Sequence, residues 1–510
     1  MPSFRACFRV VFGILPIALI VLFLAGCGGT TPASSTSATQ PVSVSIYQTT
    51  GNGSSLLASQ PAQTFGTAAA TGSFTIQVTP SNVLQPWDGV GGALTDSAAT
   101  VIAALPQAQQ QTVLSSLFSQ TNGIGLTMVR LPMGASDFIA TTTPYSYDDV
   151  PTGQTDTTLA QFSIAHDMTN IIPVLQSALT INPGLKVIAS PWSPPAWMKT
   201  NGSIYGVTNA STATSQVNAA DFVALSNYFV KFVQAYKAQG VPIYAVSAQN
   251  EPLNTSSTYP TAILTATDES NFIANDLGPA LSTAGLSSVK IFGLEDNWND
   301  GAYAQTVLQS AALSYVAGSS FHWYNGTVGS MSTVEALNAN KGVWFTEATD
   351  TVSCGTTCPT LTGPIFTASG FALQMQSLII GVPQNYGRSV VGWNLALNQN
   401  EGPHNGGCAD CVGILTINSS TSPASVYNNT LYYALGHIGK FVSTGAFVIG
   451  TTTQGTTGVE DVGFLNPDGS LVVVAYNGAT SATPVTVAWN GENFDYTIPA
   501  GAAVTFKWLP

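Results

Sequence analysis

Between Gly89 and about Leu397 the chain repeats one alternation: a short β-rich apolar run, then a longer segment of helical period. That is the pattern of βα units around a parallel sheet. Eight runs qualify as strands: Gly89 to Thr95, Leu126 to Met133, Lys186 to Trp192, Tyr244 to Pro252, Lys290 to Asn297, Ser319 to Asn325, Gly342 to Ala348 and Val390 to Leu397. Between them, Asp221 to Gln239 carries apolar residues at helical spacing and is stopped by Gly240, and Asp268 to Ala284 reads the same way. Eight such units favour a closed (β/α)8 barrel. An open doubly wound sheet would be expected to carry a phosphate-binding glycine turn after its first strand, and no GxGxxG stands there.

The flanks differ in character. After a last helix near Tyr427 to Phe441 come the alternating runs LVVVAYN, PVTVAWN and AAVTFKW, broken by Pro-Asp-Gly and Asn-Gly turns, which indicate a β-sandwich. PVSVSIYQTT and FTIQVTP, ahead of the barrel, share that character and would add strands to the same sandwich. At the start, Arg5 and Arg9 precede an apolar run from Val10 to Leu24, which fits a secretory signal. Leu24-Ala25-Gly26-Cys27 resembles a bacterial lipobox, in which Cys27 would be lipidated and anchor the protein to a membrane; ordinary signal cleavage is the alternative. The expected division is a signal over 1–27, a flexible linker over 28–41, N-terminal sandwich strands over 42–88, the barrel over 89–424, and the last barrel helix with the C-terminal sandwich over 425–510. The chain is therefore expected to be exported.

Charge narrows the partners. With 12 Lys plus Arg against 25 Asp plus Glu, no basic face exists to neutralise a phosphate backbone, which argues against nucleic acid. A net charge of -13 would also repel anionic polysaccharides, leaving neutral sugars as the easier ligand. Setting aside Cys7 and Cys27, the even set Cys354, Cys358, Cys408 and Cys411 in an exported chain reads as disulfides rather than as a zinc site. Three pairings are open, and locality favours Cys354 with Cys358 and Cys408 with Cys411.

Two glutamates carry the chemistry: Glu251 in YAVSAQNEP and Glu347 in GVWFTEA, each closing an apolar run. A parallel barrel delivers its strand ends to one rim, so distant carboxylates can converge there. Acetal cleavage needs one carboxyl group to protonate the leaving oxygen and a second to capture or stabilise the oxocarbenium-like centre. Glu251 is expected as general acid/base, with its pKa raised by burial or a neighbouring carboxylate, and Glu347 as nucleophile. Asn250 would bond a substrate hydroxyl and Pro252 would fix the turn that aims Glu251 inward. His322 adjoins Tyr324 and would either orient the nucleophile or sit as a satisfied core histidine.

The blocks WDGVGGALTDSAA, GIGLTMVRLPMGASDF, YSYDD, ASPWSPPAWMKTNGSI, YFVKFVQAYKAQGVPIYAVSAQNEP, FIANDLGPAL, FHWYNG, FTEA and GWNLALNQNEGP, spread in order over Trp87 to Pro403, resemble glycoside hydrolase family 30, which includes acid β-glucosidase (glucosylceramidase). The resemblance implies the same roles for Glu251 and Glu347. It further implies a sugar subsite lined by Asp96, Trp192, Asn250, Tyr324 and Trp393, with Arg130 supporting the nucleophile; an ion pair of Arg130 with Asp137 is the structural alternative. The segment after NEP and the cysteine-bearing loops after the seventh and eighth strands depart from the animal glucosylceramidases, and these border the leaving-group side.

The expectation is an exported retaining β-glycosidase needing no metal or organic cofactor. Its substrate would be a β-glucoside, glucosylceramide-like by resemblance, with β-1,6-glucan or a xyloside as alternatives. A non-catalytic carbohydrate-binding lipoprotein is the alternative of another class.

Overall fold

Eight parallel strands close on themselves in chain order: Gly89–Ala93, Met128–Pro132, Lys186–Ser190, Ile243–Ser247, Lys290–Asn297, Val316–His322, Gly342–Glu347 and Gly387–Gly392. The computed structural model describes residues 41–207, 215–354, 358–455 and 458–510. The secretory signal, Cys27 and nearly all of the linker lie outside the described residues. The eighth strand pairs with the first from Ser389 opposite Gly89 to Gly392 opposite Gly92, which completes the barrel.

The interior follows from period-two alternation. Met128, Ile188, Ala245, Phe292, Trp344 and Val391 form one buried inner cluster, with the Trp344 and Phe292 rings stacked at 4.2 Å. Their sequence neighbours Val129, Val187, Val246, Ile291, Phe345 and Val390 belong instead to the large outer core shared with the helices. Two residues past Met128, and so one layer above this plug, the same alternation turns Arg130 into the barrel. Below, Asp88 accepts hydrogen bonds from Trp344 Nε1 (2.7 Å) and Tyr244 OH (3.0 Å) and pairs with Lys186, closing the floor.

Several strands stop earlier than the sequence suggests. The fourth ends at Ser247, so Glu251 lies four residues beyond it rather than at its end. The eighth begins at Gly387 and ends at Gly392, because Asn394 (φ 63°) turns the chain out of the ladder toward a separate pairing of Ala396–Asn398 with Leu415–Asn418. The helix expected over Asp221 to Gln239 runs Phe222–Ala238 and is ended by Gly240 at φ 76°. The segment from Asp268 to Ala284 starts two residues earlier, at Ala266, where the Thr265 side chain caps the N-terminus by accepting from Asp268 N–H.

Both flanks supply one nine-stranded sheet in the order Ala58–Thr64, Ser43–Thr49, Ala503–Trp508, Leu471–Asn477, Val459–Leu465, Phe447–Gly455, Phe74–Pro86, Thr483–Trp489 and Glu492–Ile498. It curls until its ends meet at the Gly66–Asn493 bridge, where Phe65 packs on Phe494, Trp489 and Trp508. Along Leu471–Asn477 the two faces separate cleanly. Leu471, Val473 and Ala475 enter the core inside the curl, whereas Val472, Val474 and Tyr476 pack toward the barrel. That double burial is why LVVVAYN reads as a continuous apolar run. Phe464 reaches from the sheet into the barrel core and meets Trp87 at 5.4 Å.

Phe464→Ala is expected to lower the unfolding free energy by about 3–5 kcal/mol through loss of this contact and the cavity it leaves. Denaturant midpoints measure it; a change below about 1 kcal/mol would show that the sheet does not depend on the barrel at this point.

Candidate active site

The rim formed by the C-terminal strand ends opens into a cavity of about 780 Å³. Its walls include Glu251, Glu347, Asn250, Trp192, Trp393 and Tyr324, all of which the sequence singles out. Glu347 is the last residue of the seventh strand. Glu251 arrives from an irregular extension of the fourth, held by Asn250 N–H to Pro191 O (2.8 Å) and Glu251 N–H to Glu295 O (2.8 Å). One oxygen of Glu251, one of Glu347 and a ring nitrogen of His322 lie within 4.8 Å of one another.

Arg130 sits at the centre, fully buried. Its guanidinium binds Glu347 Oε2 through Nη1, and through Nη2 reaches Asn250 Oδ1 (2.5 Å) and Glu295 Oε1 (3.0 Å). It does not pair with Asp137, the partner that a purely structural reading would give it. Its carbon lies 4.7 Å from the Trp192 ring centre and 5.7 Å from that of Trp393, so cation–π attraction adds to the ion pairs. Trp192 and Trp393 are stacked on each other at 5.0 Å and are only 3 % exposed, so each shows the cavity a narrow part of its surface. Tyr324 is 44 % exposed at the rim, and its hydroxyl donates to Glu347 Oε1 at 2.8 Å. The carbonyl oxygen of Asn250 is committed to Arg130, so a ligand meets its amide NH₂.

His322 bridges two carboxylates and makes no direct bond to Glu347, the group it was expected to orient. Its Nδ1 is 3.2 Å from Glu251 Oε1, and its Nε2 is 3.2 Å from Glu295 Oε1. Burial alone would depress the imidazolium, but the surrounding Glu347, Glu251 and Glu295 override it and hold the pKa at about 10. For Glu251 the expected upward shift is corrected. Burial does favour its neutral form, yet the hydrogen bonds from His322 and from Asn254 Nδ2 (2.8 Å) and the charges of His322 and Arg130 win, so its pKa lies below the ordinary carboxyl value. Glu295 is likewise penalised by burial and still falls to about 2, because Arg130, His322 and the Ser320 hydroxyl (2.6 Å) all favour its anion.

Asp96 does not line the cavity, which corrects its place in the sugar subsite. It opens the helix Asp96–Ala103, and its carboxylate accepts from Ala140 N–H (2.7 Å) and pairs with His166 Nε2 (2.9 Å). The carboxylate that reaches the cavity from this side is Asp137, whose pKa is pushed up to about 7 by burial and by the nearby Glu347. Asp137 follows the second strand by five residues, inside the block that supplied Arg130, and its position just past a strand end was the available signal. Glu295 carried a stronger one. It stands near the end of the fifth strand, the same apolar-run-then-carboxylate pattern that marked Glu347.

The backbone here is strained. Glu251 (φ 42°), Leu294 (φ 62°) and Glu295 (φ 135°) occupy conformations that non-glycine residues rarely adopt. A register shift between Leu294 and Asp296 marks a bulge in the fifth strand that re-aims Glu295 toward the axis. Leu294 N–H is held by the buried carboxyl of Glu269 at 2.9 Å.

The four cysteines form two local disulfides, Cys354–Cys358 and Cys408–Cys411, and the second lines the cavity. On the Glu251 side the wall is built of Asn254, Tyr259, Asp296, Asn297, Asn299 and Asp300, with Leu253 as an apolar edge, and Tyr259 packs against the cluster that holds Cys408 and Cys411.

Comparison with known proteins agrees with this geometry. The model of the glycosyl hydrolase family 30 TIM-barrel domain matches residues 87–442, and that of the family 30 beta sandwich domain matches 445–506. An endo-1,6-beta-D-glucanase of Neurospora crassa is 34 % identical over 491 residues, 93 % of this chain and 96 % of the relative. The lysosomal acid glucosylceramidase of Mus musculus is 31 % identical over 467 residues, 84 % of this chain and 82 % of the relative. A solved endo-beta1,6-glucanase superposes with a TM-score of 0.81 at 28 % identity, covering 92 % of this chain and 99 % of that one. With barrel and sandwich both matched and paired carboxylates at the barrel rim, the chain belongs to glycoside hydrolase family 30 and is an O-glycosyl hydrolase.

Proposed function

We propose that the enzyme hydrolyses β-1,6-linked glucan with retention of configuration, through a covalent glycosyl-enzyme on Glu347. The observation that carries the mechanism is the separation of Glu251 and Glu347, whose nearest ligand oxygens lie within 4.8 Å. Retaining glycosidases hold their carboxyl groups about 5–5.5 Å apart, whereas inverting ones leave room for a water at about 6.5–9.5 Å.

In the first step Glu347 attacks the anomeric carbon, the glycosidic bond breaks, and the leaving oxygen takes a proton from Glu251. That proton is one hydrogen bond away even while Glu251 is ionised, on His322 Nδ1. A sugar filling the cavity excludes water from Glu251 and raises the cost of its charge, which draws the proton across. His322 is then neutral and still bonded to Glu295 through Nε2. In the second step Glu251 takes a proton from water, the water oxygen attacks the anomeric carbon, and Glu347 is released.

The substrate assignment rests on the wall beside Glu251 and on the family relatives named as endo-1,6-β-glucanases. Sequence resemblance put glucosylceramide first. Polar side chains, five of the six named above being Asn or Asp, suit a hydroxylated leaving sugar better than a lipid, to which this wall offers Leu253 and the Tyr259 ring as apolar surface. We further propose that the protein is exported, a reading that the signal-like N-terminus and two disulfides support.

Incubation with a 2-deoxy-2-fluoro β-glucoside is expected to add one glycosyl mass at Glu347, read by mass spectrometry of the digested protein; intact Glu347 beside an adduct elsewhere would end the assignment. Glu251→Gln is expected to slow unactivated β-1,6-glucan by about 10²–10⁴-fold and activated aryl glucosides far less. Faster turnover of glucosylceramide than of β-1,6-glucan by the unaltered enzyme would overturn the substrate choice.

His322 gives a pH test. Its folded pKa of about 10 lies above the ordinary 6.5, so its contribution to stability is full below 6.5 and is lost as pH rises through about 10. Its ring signals are expected not to titrate between about pH 5 and 8. Glu251→Gln removes one of the anions that hold the value up, so the titration should move to lower pH in nuclear magnetic resonance spectra. An unmoved midpoint would show that Glu251 does not share the proton.

A further inference from the structure

Cys408 and Cys411 pack with Trp192, Trp393 and Phe138 on the cavity wall. The segment that leads into the turn they close holds Asp137 at two points: Asn405 N–H donates to its backbone carbonyl at 2.6 Å, and Cys408 N–H donates to Oδ2 at 3.4 Å. Gly407 (φ 63°) lies against the same carboxylate, where a Cβ would come within 2.2 Å of Asp137 Oδ2. On its other side the turn is stitched to the segment that leaves Glu347. Thr351 pairs with Cys411 and Asp350 with Val412, and Val352 N–H donates to Asp410 O at 3.0 Å.

Nothing in the sequence that leads into the turn makes it stiff. Gly406 (φ 78°) and Gly407 (φ 63°) give it the left-handed backbone that close approach to Asp137 requires, and glycines lose the most conformational freedom when fixed. The cross-link anchors the end of this stretch by tying Cys408 to Cys411, itself paired with Thr351, and so removes open states that the glycines would otherwise allow. Asp137 has much to lose if the turn opens, since a buried carboxylate depends on each N–H that faces it.

We propose that the Cys408–Cys411 disulfide is a positioning element for sugar binding: it fixes the turn that holds the Asp137 carboxylate at the cavity wall, so that opening it weakens substrate binding while the barrel stays folded. The proposal rests on the glycosidase reading of the cavity. Reduction by dithiothreitol would convert the bond to two thiols, taking two electrons and two protons from the reagent, which is oxidised to its cyclic disulfide.

The test is a double-mutant cycle on the full chain with an aryl β-glucoside. Cys408→Ser/Cys411→Ser is expected to raise KM about tenfold with kcat changed less than about threefold. Asp137→Asn should raise KM as well, and the combined variant should be no worse than Asp137→Asn alone, because both act through one carboxylate. Two further arms avoid dependence on folding of the cysteine variant. Gly407→Ala, with the disulfide intact, should raise KM, and dithiothreitol added to folded Cys354→Ser/Cys358→Ser should do the same reversibly. An unchanged KM in these arms, or effects that multiply in the combined variant, would overturn the positioning role alone. Absence of turnover of any glycoside by the unaltered enzyme would overturn that role and the glycosidase reading together.

Discussion

A guanidinium that cannot shed its proton, sealed inside a barrel, dictates where the negative charge around it must go. Arg130 is fully buried, and its two terminal nitrogens are divided between Glu347 on one side and Glu295 with Asn250 on the other. Removing one partner from a buried pair of this kind costs about 3–5 kcal/mol, because the remaining charge is left without solvent. The same contacts therefore stabilise the barrel and aim Glu347. His322 adds a second cation against a third carboxylate, Glu251, so the cluster is a continuous chain from Glu347 through Arg130, Glu295 and His322 to Glu251. Glu251 and Glu347 are thus coupled through protein as well as across the cavity.

Backbone strain sits in and beside that chain. Three non-glycine residues with positive φ, Glu251, Leu294 and Glu295, would each cost about 1–3 kcal/mol. They are held by hydrogen bonds that are themselves deeply buried: Glu251 N–H on the Glu295 carbonyl, and Leu294 N–H on Glu269. Glu269 carries a pKa raised to about 8 by burial, with the Tyr303 hydroxyl working in the opposite sense, so it serves as a largely uncharged brace at neutral pH. A carboxyl group that never touches the cavity thus fixes the bulge that aims one that does.

The barrel was legible because parallel strands buried on both faces leave short apolar runs, and all eight could be located from them. Glu347 was legible for the same reason, as the last residue of such a run. Glu251 was found as a residue but misplaced as a strand end, since no pattern in AQNEP announces that the ladder stops at Ser247 and the backbone then turns to positive φ. Asp96 and Asp137 could not be told apart from local sequence. Both follow barrel strands, and only the three-dimensional path shows that one carboxylate turns back to Ala140 and His166 while the other enters the cavity. The pKa of Glu251 was inferred with the wrong sign because its governing partner, His322, is 71 residues away in the chain.

The first described strand, Ser43–Thr49, lies directly beside the last, Ala503–Trp508, with Val44 opposite Trp508 and Thr49 opposite Ala503. A ribosome therefore makes every residue between these two strands before this seam can be sewn. Until then Ser43–Thr49 waits with one edge unpaired, and pairing over such a sequence distance is slow because chain closure precedes any reward. During that interval the apolar residues of the curled sheet are open to wrong partners, so the risk of misassembly falls on this seam rather than on the barrel.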